Sequence, residues 1–340
     1  MHDDAPHTEE SLAAIADLPK VELHLHHEGA APPAFIRGLA QEKSINLTGV
    51  FDERGGYAFS GFERFLRTYE AATSVLKSPE DYARLTTALL EECARNGVVY
   101  VESFLSPDFC GGGDLGAWRE YLHAIRDAAE QADRDMGITL RGIVTCVRHF
   151  GPDKAKRASL CAAETAGDFI TGYGMGGDEN AGDLKDFAYS FDMAREAGLR
   201  LTVHAGEWRG PSEVKSALDD LRVERIGHGV RAIEDPALVD RLAEAGICLE
   251  VCPGSNVALG VHDSLKAHPI ARLHRAGVPV TVSTDDPPFF HTTMRDEYRN
   301  LARTFHWDAE MFRALNRTAM AHAFCDAATA KIIADRLEAT

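Results

Sequence analysis

The amino-acid sequence predicts an α/β protein folded as a (β/α)8 TIM barrel, with a helical lid after the first strand and helices at the C-terminus. Eight short runs of strand-forming residues alternate with helical stretches. A helix that ends in Ala-Gly shortly precedes a strand at 197–198, 245–246 and 276–277. Unusual polar residues follow several different strands, and strand C-terminal ends carry the catalytic groups of such barrels. An open doubly wound sheet would show the same alternation but explains this last feature less well.

One connection between the predicted strands is much longer than the others. In chain order the predicted strands are residues 21–26, 98–104, 139–147, 169–175, 201–204, 224–227, 247–252 and 278–284. About seventy residues separate the first two strands, and an apolar stripe recurs there at helical spacing: Phe59, Phe62, Leu66 and Tyr69. This stripe predicts a helix that either packs on the barrel wall or covers the barrel mouth as a lid.

The two ends of the chain are predicted to lie outside the alternation of strands and helices. Residues 1–18 are acidic with scattered histidines, and we expect a flexible leader or a short helix outside the catalytic fold. Residues 307–337 predict helices that carry no recognisable chemistry. Because no repeat or linker-like composition interrupts the remainder, residues 19–340 are predicted to form a single barrel domain.

The charge of the chain restricts the partners that it can bind. Its 340 residues carry a formal net charge of −17, which argues against nucleic acid or an anionic membrane. A single nucleoside or base carries little charge and stays possible. No stretch resembles a transmembrane segment or a signal peptide, and seven scattered cysteines without C-x-x-C fit a reducing cytoplasm. We therefore expect a cytoplasmic protein, and the sequence does not indicate its oligomeric state.

Four residues at strand ends have the composition of a metal site. His24 and His26 are two positions apart in the first strand, so both imidazoles point to the same face. His204 ends the fifth strand, and Asp285 follows the eighth, where a carboxylate is costly unless it meets a cation. Each residue alone has a structural alternative, either a hydrogen-bonded core histidine or a turn aspartate. Together they predict a catalytic divalent metal with room for water, most simply zinc, although iron or cobalt would suit the same ligands.

A single ion is expected rather than a pair. Binuclear barrel hydrolases usually carry a bridging lysine or acid on the fourth strand, and residues 169–175 contain neither. His27 points to the face opposite to His26, so we do not expect it to be a ligand.

Three further residues are candidates for proton transfer at the same mouth. Glu207 lies three residues after His204 and could act as a general acid if its pKa is raised, or merely cap the next helix. His228 stands between two glycines and could orient or deprotonate a water. Asp286, next to Asp285, could accept a hydrogen bond from the water or the substrate.

The segment 172–177 matches the glycine-rich dinucleotide motif only formally. It follows a strand, but acids at 178 and 179 would repel a pyrophosphate. Close approach of the backbone to a neutral ligand is the better interpretation. His26-His27-Glu28 similarly matches H-x-E of another zinc deaminase class, but no P-C-x-x-C follows.

As a set, these motifs resemble the adenosine/adenine deaminase family of metal-dependent amidohydrolases. The resemblance runs in family order through nearly the whole chain, in segments 19–29, 97–102, 176–179, 202–207, 225–229, 250–253 and 283–287. It implies one zinc ion per chain with the ligands His24, His26, His204 and Asp285. It also implies that hydroxide generated at the zinc attacks C6 of a purine, with release of ammonia.

The resemblance assigns roles to the other candidates as well. Glu207 would protonate N1 of the ring, His228 would position the water, and Asp286 would contact the water or N7. The backbone N–H of Gly177 would meet N3. The apolar lid of the family would correspond to Phe59, Phe62 and Leu66.

The substrate expected first is adenosine or 2′-deoxyadenosine, deaminated to inosine in purine salvage. Glu28 departs from the aspartate by which nucleoside-specific members contact the ribose, and it favours the alternative of adenine or an N6-modified adenine. Phe104 stands where the family often has arginine, with no predictable effect. Other amidohydrolase chemistry, such as lactone or phosphoester hydrolysis, and a catalytically inactive purine-binding protein are the remaining alternatives. The missing bridge on the fourth strand and the complete catalytic set argue against them.

Overall fold

The structure, a computed structural model, describes residues 7–339 and confirms the predicted barrel. Eight parallel strands pair in chain order. They are β1 (Lys20–His26), β2 (Val98–Leu105), β3 (Thr139–Val147), β4 (Ile170–Gly176), β5 (Arg200–Ala205), β6 (Arg225–His228), β7 (Cys248–Val251) and β8 (Val280–Val282). Each observed strand overlaps its predicted range, because apolar runs bounded by helix ends mark buried parallel strands.

The seam between β8 and β1 closes the barrel at its C-terminal end. Leu25 forms an isolated parallel bridge with Asp285, just beyond β8. The N–H of His26 donates to the carbonyl of Asp285 at 3.0 Å, and the N–H of Asp285 donates to the carbonyl of His24 at 3.2 Å. The predicted metal ligands of the first and last strands are therefore held together by the backbone itself.

Fourteen α-helices surround the strands in the described part of the chain. They are α1 (Glu9–Asp17), α2 (Pro33–Glu42), α3 (Phe62–Thr73), α4 (Pro79–Arg95), α5 (Leu115–Met136), α6 (Pro152–Ala163), α7 (Ala188–Glu196), α8 (Pro211–Ser216), α9 (Pro236–Ala245), α10 (Pro253–Ala258), α11 (Ile270–Arg275), α12 (Met294–Phe305), α13 (Ala309–His322) and α14 (Ala327–Glu338). Short 3-10 turns cover Arg148–Phe150, Leu184–Phe187 and Val230–Glu234, and one π turn covers Ala217–Leu221. Helices α2, α3 and α4 form the long insertion between β1 and β2, as predicted.

The segment predicted as a leader includes α1. Leu12 and Ile15 of α1 are buried, and the helix packs against α12 and α13. Residues 1–6 lie outside the described residues, and the domain division at residue 18 stays a prediction. Among residues 7–339, no helix is long and apolar enough to cross a bilayer.

A buried charge cluster fills the barrel below the predicted site. The Arg225 guanidinium forms an ion pair with Glu102 at 2.7 Å and donates a hydrogen bond to Glu250 at 2.6 Å, and all three side chains are fully buried. The ring of Phe324, between α13 and α14, lies 3.6 Å from the Arg225 guanidinium carbon and closes the barrel floor. Because an unpaired buried charge costs several kcal/mol, the two carboxylates are needed to keep this arginine inside the barrel.

Candidate active site

The four predicted metal ligands converge at the C-terminal end of the barrel. The nearest donor atoms of His24, His26, His204 and Asp285 all lie within 4.8 Å of one another. Asp285 Oδ1 is 3.4 Å from His24 Nε2 and 3.2 Å from His26 Nε2. The Nε2 atoms of His26 and His204 are 3.1 Å apart. Three imidazole nitrogens and a carboxylate oxygen thus face one point in space.

Hydrogen bonds behind these ligands fix which atom each one presents. His24 Nδ1 donates to Glu250 at 2.8 Å, and His204 Nδ1 donates to the carbonyl of Met175 at 2.9 Å. Both rings therefore keep a lone pair on Nε2, as metal-ligating histidines do. The Ser255 hydroxyl donates to Asp285 Oδ2 at 2.6 Å, which leaves Oδ1 for the centre.

The residues present fit a divalent metal ion. His24 Nε2 is buried and has no hydrogen-bond partner, a costly arrangement for a polar atom unless it binds a cation. Three neutral imidazoles and one carboxylate are a typical zinc set that leaves a position open. No residue of β4 adds a bridging group, since Gly176 occupies the strand end.

Glycines make room for this crowded centre. A Cβ on Gly227 would stand 2.9 Å from the His24 ring, and one on Gly176 would stand 3.2 Å from the His204 ring. A Cβ on Gly29 would lie 1.6 Å from Asp286 Oδ1. The glycines of the sequence motifs are thus positions where a catalytic side chain touches the backbone of another strand.

Glu207 lies beside the centre, in surroundings that favour its protonated form. Burial, and then the nearby Asp285 carboxylate, raise the pKa of Glu207 well above its usual value. Asn256 Nδ2 donates to Glu207 Oε1 at 3.0 Å, and His268 Nε2 donates to Asn256 Oδ1 at 3.1 Å. The amide of Asn256 is therefore fixed with its donor toward the acid.

His228 faces Glu207 across the pocket in neutral form. Its Nε2 lies 3.8 Å from Glu207 Oε2. Burial lowers the pKa of His228 to about 3, so the ring is uncharged near neutral pH. The backbone of His228 has φ of 59°, in the left-handed region, and the following Gly229 has φ of 65°. This sharp turn directs the ring into the barrel mouth.

Asp286 and Glu28 present buried carboxyl groups to the same pocket. Burial and the neighbouring Asp285 raise the pKa of Asp286 well above its usual value, and Asp286 Oδ1 has no hydrogen-bond partner. Burial raises the pKa of Glu28 to about 7. The hydroxyls of Tyr82 and Tyr69 donate to the two oxygens of Glu28 at 2.9 and 3.4 Å, so its carboxyl is held in a fixed orientation.

Gly177 lines the pocket from the end of β4. Its φ is 98°, a conformation that favours glycine, and a Cβ there would lie 2.8 Å from His149 Nδ1. His149 Nδ1 also accepts a hydrogen bond from the N–H of Asp178 at 3.2 Å. The missing side chain at Gly177 thus lets the backbone pack closely against the His149 ring, and its contact with a ligand stays a prediction.

Helix α3 covers the mouth, so the apolar stripe belongs to a lid. Phe62 and Leu66 line the pocket, and Phe62 contacts Trp208 across it with ring centres 5.1 Å apart. Phe59 is not part of the lining: it packs behind it, 5.7 Å from the Phe65 ring and 5.9 Å from the Phe290 ring. Phe59 thus supports the lid rather than facing the pocket.

Sequence reasoning missed several residues that act on this site. They are Glu250, Ser255, Asn256 and His268. Phe104, for which the sequence predicted no effect, has its ring 4.7 Å from the His24 ring. Ser255 and Asn256 follow β7 at the catalytic end of the barrel, and this position was an available signal. As expected, His27 points away from the centre and bonds to Thr86 and Ser103.

A barrel whose strand ends bring together three histidines and an aspartate that fit a divalent metal ion, beside a buried acid, is typical of metal-dependent hydrolases. The model of the adenosine deaminase family matches residues 19–340, and the chain belongs to this family. It is a hydrolytic deaminase that acts on the C–N bond of a cyclic amidine.

The chain is similar to several known proteins over nearly its whole length. An adenine deaminase of Rhizobium leguminosarum bv. trifolii (strain WSM2304) is 46% identical over 321 residues, covering 94% of this chain and 99% of the relative. The crystal structure of adenine deaminase from Arthrobacter aurescens is 31% identical with a TM-score of 0.86, over 94% and 98% of the two chains. An amidohydrolase from Burkholderia ambifaria with bound Zn is 25% identical with a TM-score of 0.85, over 100% and 98%.

Proposed function

We propose that the protein is a zinc-dependent adenine deaminase, which converts adenine and water to hypoxanthine and ammonia. The relatives described above support this alternative better than the adenosine activity expected first from the sequence. The net charge of −17 also fits a small, nearly neutral substrate.

The observation that carries the proposal is the fixed carboxyl of Glu28. Tyr82 and Tyr69 hold it against the pocket, where its longer side chain reaches further than the aspartate typical of nucleoside deaminases. Free adenine carries an N–H on its five-membered ring, and in a nucleoside this position bears the ribose. A carboxylate accepts this N–H and leaves less room for a sugar.

We propose one zinc ion, held by His24, His26, His204 and Asp285. Zinc bound there would lower the pKa of water at its open position toward 7. The Burkholderia ambifaria structure with bound Zn supports this metal. The unpartnered Nε2 of His24 is the independent sign that a cation belongs there.

The side chains around the pocket would then share the proton transfers. Glu207 would donate the proton that N1 of the ring receives, a role that its raised pKa favours. His228 Nδ1 accepts a hydrogen bond from Asn256 Nδ2 at 3.4 Å, so the neutral ring carries its hydrogen on Nε2 and would orient the attacking water by donating to its oxygen. Asp286 contacts the water or N7, and the Gly177 N–H meets N3. The attacking water leaves its oxygen on C6; one of its two protons returns to Glu207, and the other goes to the leaving amino group, which departs as ammonia.

A substrate panel tests the proposal. Zinc-loaded protein is assayed for ammonia release and purine absorbance with adenine, N6-methyladenine, adenosine and 2′-deoxyadenosine. We expect kcat/KM for adenine to exceed that for either nucleoside by roughly 10²-fold or more, since the buried carboxyl favours the ring N–H. A nucleoside preference would contradict the proposal, and a preference for N6-methyladenine would move the substrate to the modified base.

Two variants of Glu28 connect the panel to the structure. Glu28→Asp shortens the side chain and should lower the ratio of kcat/KM for adenine to kcat/KM for adenosine. Glu28→Gln keeps the length and serves as its matched control for charge. If Glu28→Asp leaves the ratio of adenine to adenosine turnover unchanged, the argument from this carboxyl fails.

A further inference from the structure

A single buried carboxylate joins the loops that follow β4 and β5. Glu179, in the β4 loop, is only 2% exposed. Its oxygens accept hydrogen bonds from three backbone N–H groups of the β5 loop: Gly206, Trp208 at 2.5 Å and Arg209 at 2.8 Å. These donors stand on both sides of Glu207 in the chain. No role for Glu179 follows from the proposed catalytic steps.

The shape of the β5 loop explains why its N–H groups converge. Gly206 has φ of 76°, and a Cβ there would lie 2.4 Å from the Val214 side chain, so the chain turns sharply immediately before Glu207. Consecutive N–H groups in such a turn form a concave site for an anion. Here a side chain of the same protein supplies the anion.

Each loop also has an anchor of its own. Arg148 donates to the carbonyls of Ala181 at 2.7 Å and Gly182 at 2.9 Å, behind the β4 loop. The N–H of Arg231 donates to the carbonyl of Gly206 at 2.9 Å, behind the β5 loop. Arg209 Nη1 also links the two loops, by donating to the Gly182 carbonyl at 3.3 Å, but this contact is partly exposed, whereas the Glu179 carboxylate is buried.

We propose that Glu179 is a positioning residue, which fixes the place of the Glu207 carboxyl relative to the Gly177 backbone and so couples ring binding to ring protonation. The inference rests on the proposed role of Glu207 as the acid. Glu179 lies two residues after Gly177, and its carboxylate ends beside Glu207. A misplacement of about 1 Å in a catalytic group can cost roughly 10²-fold in rate.

The variants Glu179→Gln and Glu179→Asp test the inference in zinc-loaded protein, with the purine that the wild type turns over fastest. Glutamine has one acceptor oxygen and sets an NH2 group against backbone donors, so kcat should fall roughly 10–100-fold. Aspartate keeps both oxygens and should recover part of this loss. Zinc affinity, measured by chelator competition, should stay at the wild-type value, since Glu179 contacts no ligand.

A double-mutant cycle with Glu207→Asp shows whether Glu179 acts through the acid. In that background, where the acid is already displaced, Glu179→Gln should lower kcat by less than about threefold. The inference is overturned if the loss of kcat in the double variant equals the product of the losses in the two single variants. It is also overturned if zinc affinity falls in parallel with kcat.

Asp81→Asn is the matched control for loss of a buried carboxylate. Asp81 is 4% exposed and accepts hydrogen bonds from the N–H groups of Lys77 and Ser78, outside the pocket. We expect a lower melting temperature and an unchanged kcat, and an equal loss of kcat would overturn the specific role of Glu179. Full activity of Glu207→Gln would instead contradict the proposed function, so the two failures are distinguishable.

Discussion

The metal centre and the lid face the same pocket but are held by different kinds of contact. In the centre, His24, His204 and Asp285 each have a second atom fixed by a directional hydrogen bond. In the lid, Phe62 and Leu66 meet the pocket through apolar contacts that have no preferred direction. Both residues remain partly exposed, whereas the ligands lie on barrel strands or at their ends.

This difference suggests that the centre carries out the reaction and that the lid mainly binds the purine ring. A reacting water and a proton donor must be placed within a few tenths of an ångström, which rigid strands and paired ligands provide. A purine ring needs mainly a flat apolar cover, which a surface helix provides at lower precision. Changes in the centre should therefore alter kcat or metal binding, and changes in the lid should alter KM.

Removal of the proton on Glu207 should have the largest effect. Glu207→Gln keeps the shape and the hydrogen bond from Asn256 but cannot transfer a proton. We expect kcat to fall roughly 10²–10⁴-fold, the usual contribution of a general acid. Metal analysis should show zinc content equal to that of the wild type. Retention of full turnover would show that this carboxyl is not the acid.

Removal of the Glu250 charge, which holds the His24 ring, should have the next largest effect. Glu250 accepts from His24 Nδ1 and from Arg225 Nε, both at full burial. Glu250→Gln should weaken zinc binding by roughly 10–100-fold in a chelator titration, as the loss of such partners commonly does. An unchanged affinity would mean that the strand alone holds His24 in place.

A change in the lid should have a smaller effect, confined to substrate binding. Leu66→Ala removes apolar cover from the pocket and should raise KM by roughly 3–10-fold, with kcat and zinc affinity kept. Phe59→Ala is the matched control, since Phe59 packs behind the lining. The control should lower the melting temperature and leave KM unchanged, and equal KM changes in both would contradict the distinction.

The pH dependence of stability should reveal a further effect, at His268, which is absent near neutral pH and appears only on acidification. Burial lowers its pKa to about 3, and its Nδ1 accepts from the N–H of Ile270, so the folded ring stays neutral. An unfolded histidine binds a proton below about pH 6.5, so this group destabilises the fold as pH falls from about 6.5 toward 3.

The corresponding measurement compares His268→Gln with the wild type. Denaturant titrations at several pH values should give a wild-type free energy of unfolding that falls more steeply below pH 6.5, by up to about 1.4 kcal/mol per pH unit. Parallel curves would show that His268 does not bind a proton on unfolding.

The sequence indicated the fold and the four polar residues that converge at the barrel mouth, because both depend on local patterns. Apolar runs located the strands, and His24, His26, His204 and Asp285 stood out as polar residues at strand ends. The residues that hydrogen-bond to these four side chains could not be predicted, because each pair of partners is far apart in the sequence. His24 and Glu250 are 226 positions apart, and nothing in either motif tells which residues meet.

The lid shows a second limit of pattern-based prediction. Phe59 and Phe62 fit one helical stripe, but α3 begins at Phe62, after Gly61 with φ of 74°. Phe59 therefore leaves the helix face and packs elsewhere. Periodicity predicts which residues share a face only within the helix, and the helix start depends on turn geometry that the stripe does not record.

The seam between β8 and β1 has a consequence for synthesis of the protein. His24 and His26 leave the ribosome early, and Asp285 follows about 260 residues later. At roughly 5–20 residues per second, the nascent chain carries an incomplete set of ligands for about 13–50 s. The four residues that we propose as zinc ligands can therefore meet only after translation has passed β8 and the barrel has closed.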